Sequence, residues 1–257
     1  MALWVRFARA DGMQGWGTRD GDAIAVQSAA PWDSPTATGE TLAADGVRLL
    51  APVRPPRFIG LWNNFHAMAA KTGARIPDAP LYFLQSPGSI LDPDCTIRPP
   101  ASYAGKVIYE GELGIVIGRR CTDVDEATAA AAIFGYTCVN DVTALDLFGN
   151  DPGFSQWARA KGCDSFGPVG PAIATGLDWS SLVVRVSLNG RERQNYPAAD
   201  MIIPPARIVS LISREMTLEP GDLIACGTSV GALPMRPGMV VEVTIDGIGT
   251  LRNTLAA

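Results

Sequence analysis

The chain has 257 residues, 47% of them hydrophobic and 18% charged, with 21 Lys+Arg against 26 Asp+Glu and a single histidine. That is enough apolar material for one sizeable core and too little basic charge, with no Lys/Arg run longer than Arg119-Arg120, for a nucleic-acid surface. One histidine excludes metal sites built on two or more imidazoles, so any metal must be held mainly by oxygen.

Five widely spaced cysteines with no C-x-x-C pair read as reduced residues of a cytoplasmic protein. Arginines interrupt the N-terminus before a signal-length apolar stretch forms, and no segment reaches the roughly 18 apolar residues that span a bilayer. A small-molecule substrate is the expected partner, with no nucleic acid and no membrane.

Residues 1–50 alternate short apolar runs (Leu3, Val5, Phe7; Ile24, Val26) with Gly, Asp, Ser, Thr and Pro, the pattern of short strands and turns. Ala51-Pro-Val-Arg-Pro-Pro56 breaks helix and sheet alike, so a small β-rich cap over 1–56 and a main domain over 57–257 are expected. Strands are expected over 107–117, 182–188, 221–226 and 239–245, and helices over 125–134 and 205–214. Helices do not alternate regularly with strands, which favours a mixed α+β, mainly β domain over a doubly wound sheet.

Within the 107–117 run, Glu110 and Glu112 interrupt an otherwise apolar sequence. Residues two apart on a strand share a face, with Cα atoms about 6.5 to 7 Å apart. Two buried anions need a proton or a cation between them; the alternative is an edge strand whose polar face meets water. Asn140-Asp141, ending another β-like run, reads alone as a turn or cap. Joined to Glu110 and Glu112 it makes a three-carboxylate set suited to Mg²⁺ or Mn²⁺.

His66, where a strand-like run meets a helical one, is the one imidazole available as general base. Lys161 lies between apolar and Gly/Pro segments and could hold a carboxylate or oxyanion. Gly227-Thr228-Ser229 follows an expected strand and offers backbone donors plus a hydroxyl. No P-loop, complete dinucleotide fingerprint or G-x-S-x-G elbow is present.

Taken in order, several blocks resemble the fumarylacetoacetate hydrolase superfamily. They are Phe58 to His66, Pro80 to Leu84, Tyr109-Glu-Gly-Glu-Leu-Gly to Gly118, Gly135 to Thr143, Lys161 to Asp164 with Gly170-Pro171, Asn189-Gly190, Leu218 to Asp222 and Cys226 to Gly231. The resemblance implies a β-roll-like fold, a homodimer, and a Mg²⁺ or Mn²⁺ ion on Glu110, Glu112 and Asp141. It implies His66 and Lys161 as catalytic residues and Thr228, with Gly227, as substrate-binding. The implied activity is C–C hydrolysis of an acylpyruvate-like 2,4-dioxo acid through a metal-stabilised enolate. Decarboxylation, tautomerisation, isomerisation or hydration of a 2-oxo or 2-hydroxydienoic acid is the alternative, and a non-catalytic binding homologue a third reading. Ala69, Phe65, Gln85, Leu145 and Phe148 stand where such proteins often carry polar or charged residues, which points to a less anionic substrate tail.

Overall fold

A computed structural model describes all 257 residues. The first fifty fold into β1 (Ala2–Ala8), β2 (Gln14–Asp20), β3 (Ala23–Gln27), β4 (Ala37–Ala43) and β5 (Arg48–Leu50). After the proline-rich 51–56 stretch come β6 (Phe58–Trp62), helix α1 (His66–Thr72), β7 (Leu81–Gln85), β8 (Ile90–Leu91), β9 (Thr96–Ile97) and β10 (Val107–Ile108). The middle of the chain supplies β11 (Gly111–Ile117), α2 (Glu126–Ala132), β12 (Ile133–Asn140), β13 (Thr143–Ala144), α3 (Leu145–Phe148), α4 (Trp157–Lys161) and β14 (Gly167–Thr175). Then follow β15 (Val183–Leu188), β16 (Arg191–Pro197), α5 (Pro205–Ser213), β17 (Leu223–Ala225), β18 (Val240–Ile245) and β19 (Gly249–Leu255). The fold is mixed α+β and mainly β, as the sequence patterns indicate, and no helix is long and apolar enough to cross a membrane.

The large sheet runs β4-β3-β2-β1-β14-β12-β11-β17-β6-β7, with β5 added to β1 and β8 to β14. A second sheet, β16-β15-β18-β19-β9, packs against β11, β12 and β14. Alternation explains that packing. In both β15 and β18 every second residue is buried, so one face of each (Val184, Val186, Leu188; Val241, Val243, Ile245) meets Leu113, Ile115 and Ile117 of β11. Strand β11 is buried along its whole length because its other face meets a second cluster with Val116, Val139 and Leu223. The N-terminal strands do not form a detached sheet, since β1 pairs antiparallel with β14 over Ala2–Trp4 and Ile173–Thr175.

Two expected elements come out differently. The 107–117 run is not one strand: it breaks between β10 and β11, leaving Tyr109 and Glu110 outside the ladder. The 125–134 helix stops at Ala132, and Ile133 already begins β12; its start is capped by Asp125, whose carboxylate accepts from Thr128 N at 2.8 Å. The long central strand β14, rich in Gly and Pro, carries no strand signal in sequence. Pro171 is tolerated because β14 changes neighbour along one edge, from β8 at Gly167 and Pro168 to β1 at Ile173 onward. Pro171 lies at that change, where no ladder donor is required.

Candidate metal centre

Three carboxylates from two separate stretches of the sequence meet where β11 begins and β12 ends. Glu112 stands on β11, Glu110 in the break just before it, and Asp141 immediately after β12; one oxygen from each lies within 4.8 Å of the others. Glu112 and Asp141 are each about 1% exposed, whereas Glu110 is half-buried.

The backbone around the break is fixed by side chains, two of which, Gln194 and Tyr196, the sequence does not single out. Glu110 N donates to Asn140 Oδ1 (3.0 Å) and Asp141 N to Glu110 O (2.9 Å), which ties the two acid-bearing segments together. Gly111 N donates to Gln194 Oε1 at 3.2 Å, and Gly111 O accepts from Thr228 Oγ1 at 2.9 Å and Tyr196 Oη at 2.5 Å. Gly111 itself is required by space, because a Cβ there would lie 2.2 Å from Val186 Cγ2 in the opposing sheet.

Lys161, at the end of α4, is buried at 3% exposure. Its ammonium donates to Asp141 Oδ2 (2.6 Å), Glu110 Oε2 (2.7 Å) and Asp141 O (3.3 Å), which occupies all three of its N–H groups. Gln85 Nε2 holds the Lys161 carbonyl at 2.9 Å. Glu110 Oε1 accepts from Thr143 Oγ1 (3.2 Å), and Glu112 Oε2 accepts from Gly227 N (2.7 Å). Gly227 has φ +89, and a Cβ there would lie 3.2 Å from Leu61 O, so glycine is needed to present that N–H.

Two oxygens remain without a partner, Glu112 Oε1 and Asp141 Oδ1, both buried. Buried carboxylate oxygens are normally satisfied, and one lysine cannot neutralise three acids. Burial, reinforced by the Asp141 charge, holds Glu112 well above the usual carboxylate range. Burial likewise lifts Asp141 to about 6, against the pull of Lys161. For Lys161 burial works against the charged form, but Asp141, Glu110 and Glu112 together outweigh it and keep the ammonium above its ordinary range. An all-oxygen set with two unpaired buried oxygens fits a hard divalent cation, and Glu110, Glu112 and Asp141 are the residues that could hold it.

The other expected site residues fall into place unequally. Gly227 touches the centre through Glu112. Thr228 is half-buried, and its hydroxyl is engaged internally, donating to Gly111 O and accepting from Gln194 Nε2 (2.9 Å). His66 opens α1 with an exposed side chain that makes no hydrogen bond within the protein. It lies two residues beyond Asn64, whose Nδ2 donates to Cys226 O at 3.0 Å, beside Gly227. Asp200 accepts from Ala67 N (3.0 Å), the residue after His66, and not from the imidazole.

Known proteins carry the same arrangement of sequence and fold. The family model described as Fumarylacetoacetate (FAA) hydrolase C-terminal matches residues 57–256, and one described as Rv2993c-like, N-terminal matches residues 3–52. Protein Rv2993c of Mycobacterium tuberculosis is 44% identical over 226 residues, covering 87% of this chain and 84% of its own length. Oxaloacetate tautomerase YisK of Bacillus subtilis is 34% identical over 223 residues, covering 81% of this chain and 73% of its own. The crystal structure of 2-hydroxyhepta-2,4-diene-1,7-dioate isomerase from Mycobacterium marinum superposes with a TM-score of 0.89 at 38% identity, covering 100% of this chain and 98% of that one. With four fifths of its length matched by one family model and relatives well above 30% identity over most of the chain, the protein belongs to the fumarylacetoacetate hydrolase family.

Proposed function

We propose that this chain is a divalent-metal-dependent enzyme that moves a proton on a 2-oxo acid through an enolate, a tautomerase or isomerase. The observation that carries this reading is the convergence of Glu110, Glu112 and Asp141 around two unpaired buried oxygens. A divalent ion, Mg²⁺ or Mn²⁺, when bound there supplies chelation of the substrate's carboxylate and 2-oxo oxygens and Lewis acidity toward the latter. The remaining work falls to the chain's own side chains. Lys161, held protonated by its three acids, is a fixed positive charge beside the developing enolate oxygen rather than a base. Gln194, Thr228 and Tyr196 hold the Gly111 backbone and so keep Glu110 and Glu112 at their spacing. His66 takes the proton from C3 of the acid, the C2–C3 double bond forms as the carbonyl electron pair moves onto the 2-oxygen, and the proton is returned to that oxygen from the His66 imidazolium, directly or through water, to complete the enol and restore the base.

Proton transfer is favoured over C–C hydrolysis because His66 has no carboxylate partner. Ala69 cannot supply one, and Asp200 accepts from Ala67 N and not from the imidazole. A base that must activate water gains from a third group that orients it, and none is hydrogen-bonded here. The similarity to an oxaloacetate tautomerase and to a 2-hydroxyhepta-2,4-diene-1,7-dioate isomerase supports the same choice.

The test follows the enol absorbance of oxaloacetate with purified protein, with Mg²⁺ and with chelator, alongside product analysis on an acylpyruvate. Mg²⁺-dependent keto–enol interconversion without pyruvate release is the expected result, and His66→Ala is expected to slow it about 100-fold while leaving Mg²⁺ binding measurable by calorimetry. Stoichiometric pyruvate release from the acylpyruvate would restore the hydrolase reading. Absence of any Mg²⁺ binding would favour a non-catalytic homologue.

A further inference from the structure

Lys161 is the one cation that touches the acid cluster, and its surroundings hold it there. Its carbonyl is tied to Gln85 Nε2 at the end of β7 (2.9 Å), and its ammonium lies 5.7 Å from the centroid of the Phe83 ring on the same strand. That ring is backed by Trp157, one turn before Lys161 on α4, with centroids 4.9 Å apart and planes 20° from parallel. Phe148 and Trp62 meet the same indole edge-on at 4.0 and 6.3 Å. With its side chain only 4% exposed, Lys161 is a fixed charge of the centre and not a mobile surface group.

The ammonium shares the acids with something else instead of using them up. Asp141 gives it Oδ2 and keeps Oδ1 bare. Glu110 gives it Oε2 and has Oε1 engaged by Thr143. Glu112 has no bond to it at all, with Oε2 on Gly227 N and Oε1 bare. The lysine therefore does not take the place of an ion, because bare oxygens remain beside it. With Glu110, Glu112 and Asp141 ionised, one ammonium leaves two negative charges in a buried place, and buried charge is costly unless it is balanced. A divalent ion brings that balance to zero. A trivalent ion overshoots it by one positive charge, and repulsion from the ammonium grows in proportion to the charge of the ion.

We propose that Lys161 sets the charge of the ion this centre accepts. By cancelling one of three carboxylates it fits the cluster to a divalent cation and selects against a trivalent one, such as ferric iron. The role rests on the metal-dependent reading and adds to it a discrimination that the acids alone lack, since three carboxylates without the lysine would balance a trivalent ion. The selecting element is a repulsive one, a fixed like charge that penalises the wrong ion more than the right one.

The test uses Ca²⁺ and Tb³⁺, oxygen-seeking ions of nearly equal size that differ by one charge, and reads their affinity ratio by competitive titration of the purified protein. Lys161→Gln keeps N–H donors for Asp141 and Glu110 but removes the charge, and is expected to raise the Tb³⁺-to-Ca²⁺ ratio at least about tenfold. Lys161→Arg keeps the charge and should leave the ratio within about threefold of its starting value. Glu110→Gln should move the ratio the opposite way. Combining it with Lys161→Gln restores the net charge of the natural centre and should return the ratio to within about threefold of the start. The combined variant also serves where Lys161→Gln alone does not fold, because its ratio should exceed that of Glu110→Gln by about tenfold. A ratio that does not respond to Lys161→Gln in either background, or that Lys161→Arg shifts equally, overturns the assignment and leaves the metal centre standing. If the unsubstituted protein binds none of Mg²⁺, Ca²⁺ and Tb³⁺, the metal-dependent reading falls and takes the assignment with it.

Discussion

Two sets of buried carboxylates in this molecule are built on opposite principles. Asp222, fully buried before β17, has every demand met: Oδ1 accepts from Arg57 N (2.8 Å), and Oδ2 accepts from Arg57 Nη1 (3.0 Å) and Glu219 N (2.8 Å). Glu110, Glu112 and Asp141 share one lysine and leave two oxygens bare. A satisfied buried acid clamps chain segments together, whereas an unsatisfied group of acids stores repulsion that a cation or bound protons remove. The first is a structural rivet; the second is a set of acids that could hold a cation.

The largest expected effect separates the two on metal binding. Asp141→Asn should weaken Mg²⁺ binding by more than about 100-fold, beyond what outer-shell changes at metal sites usually cost, while Asp222→Ala should leave the affinity within a few-fold; calorimetric titration of both variants checks it. Similar losses in the two variants would erase the distinction. Next comes stability. Asp222→Ala leaves the amides of Arg57 and Glu219 without a partner and should cost about 3 kcal/mol in denaturant unfolding. Glu112→Gln should have the reverse sign in chelator at pH 8: it keeps an acceptor for Gly227 N, removes one of the repelling charges, and should raise Tm. A fall in Tm would mean that the Glu112 charge is compensated within the protein itself.

The smallest effect sharpens the contrast through pH. Without metal, Asp141 (about 6) and Glu112 keep their protons in the folded chain after the unfolded chain has lost them. Their contribution to stability is therefore fullest below the unfolded carboxylate range and declines as pH rises through about 6. A divalent ion takes the place of those protons, so the Tm gained on adding Mg²⁺ should be larger at pH 8 than at pH 5. Equal gains at the two pH values would remove protons from competition with the metal.

What the sequence reveals of this centre follows the same divide between satisfied and unsatisfied groups. Glu110 and Glu112 stand out because charge in an apolar run needs an explanation, and they remain visible even though the run is two strands rather than one. Gln194 and Tyr196 were not legible. In Arg191–Pro197 they are two more residues of a polar strand, and only the fold turns them inward onto Gly111. The clustering of Trp62, Phe83 and Trp157 was hidden for a different reason: they come from three elements, and pairing β6 with β7 beside α4 is what makes them neighbours. Strand β14 was hidden by its own glycines and prolines, which the switch of its neighbour accommodates.

That switch has a consequence for the first fifty residues. Because β1 covers the Ile173–Thr175 edge, the N-terminal strands shield an otherwise open row of amides and carbonyls beside the strand that carries Val139 and Cys138. Clipping them away would bare a sticky seam in the middle of the sheet, inviting foreign strands to dock and turning a loss of fifty residues into self-association of what is left.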